Sequence, residues 1–332
     1  MFRNRINRTP LKKGGNTFGI GIVSSNGEIL ANEKSIYEPL KGGIHPREAA
    51  QSHSRNAIKV FSSAIEKSGL KLKDINVIAF SQGPGLGPCL RTGATFARTL
   101  SQAMNIPLVN VNHCIAHIEI GRLLCKCEDP VTLYVSGGNT MVLSFESGRY
   151  RVFGETLDIA IGNFLDTFSR EAGLGLPGPP IIEEYAKKGE KILDFPYRVK
   201  GMDVSFSGLL TSALKYLKKG EKIEDICLSI IEISYSMLTE VTERALAQLD
   251  KKEVLLTGGV ARSKRLREML EGMVKEHNAK FYVVPNDFAG DNGAMIAWNG
   301  LLQYLNGKYI SIEESFINPR MRPEEVEINW RK

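Results

Sequence analysis

His113 and His117 stand four residues apart in Asn112-His113-Cys114-Ile115-Ala116-His117, at the start of an apolar stretch whose spacing predicts a short helix over Cys114 to Leu124. On a helix this spacing puts both imidazoles on one face, within reach of a single metal ion. Taken alone, the pair fits satisfied core or surface histidines equally well. A zinc protease of the His-Glu-x-x-His type is disfavoured, because Cys114 occupies the place of the general-base glutamate. Two histidines need an oxygen ligand and an open position to make a reactive site. Asp291, in Gly290-Asp291-Asn292-Gly293, falls at a predicted loop-to-helix junction, where it would serve as that ligand or as a helix N-cap. Tyr134 precedes Ser136-Gly137-Gly138-Asn139 and reads as a ligand, a hydrogen-bond donor or a half-buried strand aromatic.

A second group of residues suits a nucleotide. Asp166 and Glu183 lie near the starts of successive predicted helices, where carboxylates accept ribose hydroxyls, although ordinary surface acids have the same signature. Leu256-Thr257-Gly258-Gly259-Val260 ends a strand and opens a helix, so backbone can approach a base or ribose closely there. Neither a GxxxxGK[ST] loop nor a strand-to-helix GxGxxG occurs, which removes P-loop NTPases and dinucleotide dehydrogenases. The loop Ser81 to Pro88 carries three glycines and two prolines and reads as a shaped substrate wall.

The elements that must position these residues alternate strand and helix. A hairpin over Thr17 to Val23 and Glu28 to Ile36 turns at Ser24 to Gly27, and a second pairs Thr132 to Val135 with Met141 to Phe145. Each is headed by one tetrapeptide, Gly14-Gly15-Asn16-Thr17 and Gly137-Gly138-Asn139-Thr140, which argues for a duplicated lobe. Between them come helices over Glu48 to Ser68 and Thr92 to Met104, and strands over Ile75 to Phe80 and Pro107 to Val111. Helices near Phe164 to Ala172, Ile181 to Lys188, Ser207 to Lys218 and Ile223 to Leu249 follow, then strand, helix, strand and helix from Glu253 to Leu305. The expected class is α/β, with mixed sheets covered by helices: one lobe over 1–128, another over 129–305, and 306–332 returning to the first. Glycine hairpins at the lobe edges would floor a cleft with exposed backbone N–H groups suited to phosphates. The apolar positions of the Cys114 to Leu124 helix and of its neighbour Glu48 to Ser68 exceed what one lobe face needs, which signals core burial ahead of a docking surface.

At 332 residues, with 42% hydrophobic and 24% charged residues, the chain has enough material for two lobes with their own cores. No apolar run reaches the roughly 20 residues of a membrane helix. Five cysteines, without a CxxC pair, indicate neither a disulfide framework nor a zinc knuckle and fit a reducing cytoplasm. A net charge of +6 permits contact with nucleic acid but falls short of a self-sufficient binder, so partners are expected to share the grip.

Taken together, Lys41-Gly42-Gly43-Ile44-His45-Pro46-Arg47-Glu48, Gly83-Pro84-Gly85-Leu86-Gly87, Asn112 to Glu119, Tyr134 to Thr140, Leu256 to Ala261 and Gly290 to Met295 resemble the TsaD family in its archaeal and eukaryotic form, the catalytic subunit of KEOPS complexes. The match spans nearly the whole chain. It implies a duplicated actin-like, Hsp70-like and sugar-kinase-like (ASKHA) fold around a nucleotide cleft, and a tRNA N6-adenosine threonylcarbamoyltransferase. It further implies one divalent metal on His113, His117 and Asp291 with Tyr134 close by. Fe²⁺ is expected ahead of Zn²⁺, although imidazole and carboxylate ligands accept either. Threonylcarbamoyl-AMP, or ATP and AMP analogues, would lie along Tyr134, Val135, Ser136, Gly137, Gly138 and Asn139, with Asp166, Pro179, Glu183, Gly258, Gly259 and Ser263 around the nucleotide. The implied partners are tRNA, a small dimerising subunit, a small atypical kinase or ATPase and a regulatory subunit, with no membrane.

Three stretches depart from the family pattern. Relatives open with an apolar strand, whereas Met1 to Lys13 is basic; Pro177-Gly178-Pro179-Pro180 puts proline where a flexible glycine is usual; and Arg262-Ser263 shortens a polar side chain near the nucleotide. These leave two competing readings, a kinase or ATPase on the same fold and a non-catalytic scaffold subunit. The histidine pair weighs against the first, because Mg²⁺ sites are built from acidic oxygens.

Overall fold

The computed structural model of the chain describes residues 17–38 and 43–331. The basic segment Met1 to Lys13, Gly14 to Asn16 of the first tetrapeptide and Lys41-Gly42 lie outside the described residues.

Strands β1 (Thr17–Val23) and β2 (Ile29–Ile36) form the first predicted hairpin, closed by a turn in which the Gly27 N–H donates to the Ser24 carbonyl at 2.9 Å. Helix α1 (Pro46–Ser68) opens with proline in its first turn and stops at Gly69 in the left-handed conformation. The parallel pair β3 (Ile78–Gly83) and β4 (Leu108–Asn112) flanks α2 (Gly87–Met104). That helix starts five residues before the expected Thr92, because Pro88 falls in its first turn, where a missing N–H costs no hydrogen bond. The glycine-proline loop is therefore shorter than its composition suggested. Helix α3 (His113–Cys125) follows β4 directly.

The second half contains β5 (Val131–Val135), β6 (Thr140–Glu146), β7 (Arg149–Glu155), α4 (Ile161–Glu171), α5 (Gly178–Ala186), the short pair β8 (Val199–Lys200) and β9 (Asp203–Val204), α6 (Ser207–Lys218), α7 (Ile223–Gln248), β10 (Glu253–Thr257), α8 (Lys264–Glu276), β11 (Lys280–Val283), α9 (Asn286–Ala289) and α10 (Gly293–Leu305). Five strands make one mixed sheet in the order β11-β10-β5-β6-β7, with β5, β10 and β11 parallel and the hairpin strands antiparallel. Its largest core sets Val131, Leu133, Val135 and Leu256 against Phe164 and Phe168 of α4 and Ile230 and Leu238 of α7, all buried.

Helix α3 is apolar on two sides because it packs on two sides. Ile115 and Ile118 join Leu143 and Leu255 of the five-stranded sheet, while Ala116 and Ile120 join Val109 and Val111 of β4 and Met295 of α10. Complete burial of an isoleucine contributes about 1.5–3 kcal/mol, so these contacts hold the histidine-bearing helix rigidly between the sheets. Helix α10 reaches back to the first half and packs on β1, β3 and β4. The tail does so too: Ile310 bridges Leu108, the Asn318 N–H donates to the Gln82 carbonyl at 2.8 Å, and the Ile328 N–H then reaches the Gly148 carbonyl of the β6–β7 turn at 2.8 Å. Among the described residues no helix is long and apolar enough to cross a membrane.

The seam between β1 and α10 consists of backbone against backbone. A Cβ at Gly21 would sit 2.2 Å from the Ala294 nitrogen, and one at Gly293 would sit 2.2 Å from the Gly21 nitrogen. Gly93, in the interior of α2, has open space instead. Gly21→Ala is expected to lower unfolding stability by about 1–3 kcal/mol through overpacking, and Gly93→Ala to raise it by about 0.5–1 kcal/mol. Urea unfolding of the two variants beside the parent chain measures both.

Candidate metal centre and nucleotide cleft

The ligand geometry begins with a helix cap. Asn112 ends β4, and its side-chain oxygen accepts from the N–H groups of Cys114 and Ile115 at 3.0 and 3.2 Å, starting α3 at His113. Its amide in turn donates to the Arg322 carbonyl of the tail at 3.3 Å. Sequence reasoning passed over this residue, although an asparagine directly before an apolar periodic run is an N-cap signal. One turn later His117 follows His113 on the same face, with ring centroids 4.9 Å apart.

Asp291 comes from the opposite side, just ahead of α10. The N-cap role weighed for it belongs to its neighbour: the Asn292 side chain accepts from the Met295 N–H at 3.0 Å. The Asp291 carboxylate is thereby left to face the histidines, and its Oδ1 lies 3.2 Å from His113 Nε2 and 3.3 Å from His117 Nε2. These separations exceed the usual 2.7–2.9 Å of a charge-assisted N–H···O bond. They match the edge, about 3.3 Å, of a tetrahedron of ligands bonded at roughly 2.0–2.1 Å to one ion. Among the described residues, His113, His117 and Asp291 are the one cluster of three His, Cys, Asp or Glu side chains compact enough for a metal.

Burial sets the charge states around this cluster. It disfavours the protonated form of His117 and, despite hydrogen bonding to Asp291, holds that imidazole below its ordinary pKa, leaving a nitrogen lone pair for an ion. Burial also pushes the Asp291 carboxyl upward, but the charge of His113 and hydrogen bonds from both histidines outweigh it and keep the group ionised. Cys114 is pushed up to about 12 by burial and by the Asp291 charge, so it stays a thiol and adds no thiolate ligand. Tyr134, 1% exposed, stacks at a tilt on His117 with centroids 4.9 Å apart. Burial and the nearby Cys114 and Asp291 hold its phenol well above the ordinary value, hence protonated. The half-buried strand aromatic weighed for it is instead fully enclosed.

His113, Tyr134, Ser136, Gly138, Asn139 and Asp291 all line one cavity of about 1030 Å³. The glycine loop there is not an open row of donors. Ser136 Oγ accepts from the Gly138 and Asn139 N–H groups at 3.3 and 3.0 Å, and the Ser136 N–H donates to the Asn139 carbonyl at 2.8 Å. The expected phosphate floor is a self-bonded turn, in which a small side chain captured the amides first.

The remaining expected nucleotide residues lie along the neighbouring helix starts. Asp166, buried on α4, accepts from the Gly178 N–H at 2.9 Å and so caps α5, and Pro179 sits in that helix's first turn, where proline is tolerated. Glu183 accepts from the Arg265 N–H at 2.9 Å, and Ser263 Oγ from the Leu266 N–H at 3.2 Å, so both cap α8. Gly258, at φ 99°, takes a conformation that favours glycine, and a Cβ there would lie 2.1 Å from the Val135 carbonyl. Gly259 opens the short 3₁₀ turn Gly259–Arg262 ahead of Ser263. Through β10 and β5, which pair Thr257 with Tyr134, this second cluster is tied to the metal cluster without lining the same cavity.

Residues 27–298 match the family model described as TsaD, tRNA N6-adenosine threonylcarbamoyltransferase. A Methanocaldococcus jannaschii protein named probable bifunctional tRNA threonylcarbamoyladenosine biosynthesis protein is 57% identical over 95% of this chain, which spans 58% of that relative's length. A Thermofilum pendens protein named tRNA N6-adenosine threonylcarbamoyltransferase is 55% identical over 95% of this chain and 94% of its own. Among solved structures, HypF of T. kodakarensis superposes with a TM-score of 0.60 at 17% identity over 93% of this chain and 49% of that one. The Clostridium difficile activator of 2-hydroxyisocaproyl-CoA dehydratase gives 0.51 at 14% identity, over 91% and 98% of the two chains. These two likenesses concern fold alone. The chain belongs to the TsaD family of tRNA N6-adenosine threonylcarbamoyltransferases.

Proposed function

We propose that this protein transfers the threonylcarbamoyl group of threonylcarbamoyl-AMP to the N6 amine of adenosine 37 in ANN-decoding tRNAs, as the catalytic subunit of a KEOPS-type complex acting in the cytoplasm. The observation that carries the reading is the convergence of His113 Nε2, His117 Nε2 and Asp291 Oδ1 on one point at the wall of a large cavity, in a chain of this family. The donor set fits one divalent ion, Fe²⁺ ahead of Zn²⁺, held by those three side chains. When bound, the ion would polarise the carbamoyl carbonyl.

The chain's own residues do the remaining work. The exocyclic amine of adenine is a weak nucleophile, so positioning matters as much as activation. Tyr134 keeps its phenolic proton and offers a donor beside His117, while the Ser136 turn fixes the loop that would run along the carbamoyl and phosphate groups. His117 and Tyr134, 0% and 1% exposed, keep bulk water from that side of the centre. Asp166, Pro179, Glu183, Gly258, Gly259 and Ser263 shape the neighbouring backbone, where the nucleotide would lie. The same reading gives an ASKHA double fold, with lobes at 1–128 and 129–305 and with 306–332 returning to the first. Contacts of α10 with β1, β3 and β4 support moving the second boundary ahead of Gly293. AMP leaves, and the threonylcarbamoyl group passes to tRNA. Partner subunits supply the RNA grip that a net charge of +6 does not.

Nucleoside analysis of an unmodified ANN-decoding tRNA, incubated with the protein, KEOPS-type partners and threonylcarbamoyl-AMP, is expected to show threonylcarbamoyladenosine. With His113→Ala the rate is expected to fall at least about 100-fold, the scale of losing one group that stabilises developing charge. Equal product from both proteins would overturn the assignment.

Asp291→Asn leaves the Asn292 cap in place and removes a charged ligand oxygen. Its affinity for Fe²⁺ or Zn²⁺ is expected to drop by about 10–100-fold or more with an unchanged circular dichroism spectrum. Metal titration with elemental analysis after dialysis reads it directly.

A further inference from the structure

Helix α8 starts with more positive charge than a helix start favours. Arg262 ends the 3₁₀ turn ahead of it, Lys264, Arg265 and Arg267 stand in its first turn, and no acid accompanies them. A helix N-terminus already carries partial positive charge, so cations there are repelled. Arg265 is neutralised, because its Nε and Nη2 each donate to Glu232 at 2.7 Å. Lys264 is exposed to solvent. Arg262 and Arg267 are half-buried, and among the described residues neither makes an ion pair with a carboxylate. Arg262 also falls in the stretch that departs from the family pattern.

The two guanidinium groups are neighbours on one residue. Arg262 Nη2 donates to the Asn286 carbonyl at 2.6 Å and Arg267 Nη2 to Asn286 Oδ1 at 2.8 Å, while Arg267 Nε reaches back to the Ala261 carbonyl at 2.7 Å. All three acceptors are neutral, and Arg262 Nε is buried with no partner among the described residues. Burial holds both groups below the ordinary guanidinium pKa. The charges of Asp287 and Glu183 offset part of this, and the charge of Arg262 deepens it at Arg267. An arginine stays charged in a protein all the same, so two cations lie side by side in a partly desolvated place with no anion bonded to them.

Arg262 also spans the two clusters of the cleft. Its backbone belongs to the Gly258 to Ser263 stretch, and its Nη2 lies 3.9 Å from where a Cβ on Gly290 would stand, one residue before Asp291. On the proposed transfer reading, on which this inference rests, one phosphate joins the carbonyl carbon at the metal cluster to the ribose at the other. That phosphate would lie between the clusters, and the Ser136 turn has two of its amides already bonded. We propose that Arg262 and Arg267 form a clamp for the phosphate of a 5′-adenylate. Guanidinium forks match phosphate oxygens in charge and geometry. As N6 of the tRNA adenosine bonds to the carbamoyl carbon, the bond from that carbon to the phosphate oxygen breaks, its electron pair stays on the oxygen, and N6 gives up a proton to water. The phosphate passes from one negative charge to two, and the clamp meets the added charge.

The test reads binding without turnover. The full chain, loaded with Zn²⁺, is titrated in a calorimeter with AMP and with adenosine. AMP is expected to bind about 10–100-fold more tightly, the scale of a hydrogen bond between charged groups. Arg262→Gln and Arg267→Gln are each expected to lose about 10-fold in AMP affinity while adenosine and Zn²⁺ affinities stay within about 2-fold of the parent chain, and Arg262→Lys, which keeps the charge without the fork, to recover part of the loss. Three results would overturn the proposal. The parent chain binds AMP no more tightly than adenosine. Arg262→Gln weakens adenosine, Zn²⁺ and AMP alike, which makes the arginine a brace for the Asn286 loop alone. Or Arg262→Gln leaves AMP affinity unchanged, and a loss of affinity for unmodified tRNA in its place makes the phosphate an RNA one. A chain that forms no threonylcarbamoyladenosine can pass this test and one that forms it can fail, so the clamp and the transfer reading fall separately.

Discussion

The site depends on one close approach between two backbones. Gly21 of β1 and Gly293 of α10 meet with no room for a side chain, and this contact fixes where α10 begins. Asn292 then caps the helix, so Asp291, one residue earlier, turns toward α3. On the other side Asn112 sets the first turn of α3 and thereby the direction of His113 and His117. The three ligand atoms meet because two helix starts are aimed at each other, each fixed by its own asparagine. Helix starts also carry partial positive charge, which supports the ionised Asp291 carboxylate between them.

The tail closes this arrangement from behind. Glu119, 1% exposed on α3, accepts from Arg122 at 2.8 Å, Tyr150 at 2.6 Å and Trp330 at 3.0 Å. Arg331 bonds the Tyr150 hydroxyl at 3.0 Å and Asp129 at 2.9 Å, and Arg322 pairs with both carboxylate oxygens of Glu155 at 3.1 Å. A buried carboxylate is costly unless each of its lone pairs is met, and here partners from α3, β7 and the tail meet them together. The network ties the histidine-bearing helix to the five-stranded sheet through groups that bond properly in one relative position.

Much of this was legible in the sequence wherever a residue acts through its own type and local spacing. The histidine pair, the long helices Ser207–Lys218 and Ile223–Gln248 and both hairpins follow from period and turn chemistry. The pairing of Asp291 with residues 174 and 178 positions away is a tertiary fact that local pattern does not contain, and the family resemblance supplied it. The roles of Asp166, Glu183 and Ser263 were harder to read. A carboxylate or hydroxyl near a helix start looks the same whether it awaits a ligand or caps a neighbouring helix, and here each makes a capping bond. The Ser136 turn was missed for a similar reason. Glycine content announces exposed amides, but a serine two residues earlier in the chain can occupy them.

That turn also bears on which molecules the cleft can hold. Because Ser136 already accepts from the Gly138 and Asn139 amides, the loop is held in this shape by its own bonds, and less ordering entropy is lost if a ligand arrives. Those two bonds take up two of the donors through which simple phosphates are gathered at glycine loops. On the proposed reading a simple anion such as inorganic phosphate would find fewer free amides there, and a ligand would gain by also presenting an oxygen to the His113, His117 and Asp291 cluster. On that reading, selectivity against simple phosphates would rest on bonds the protein has already made to itself.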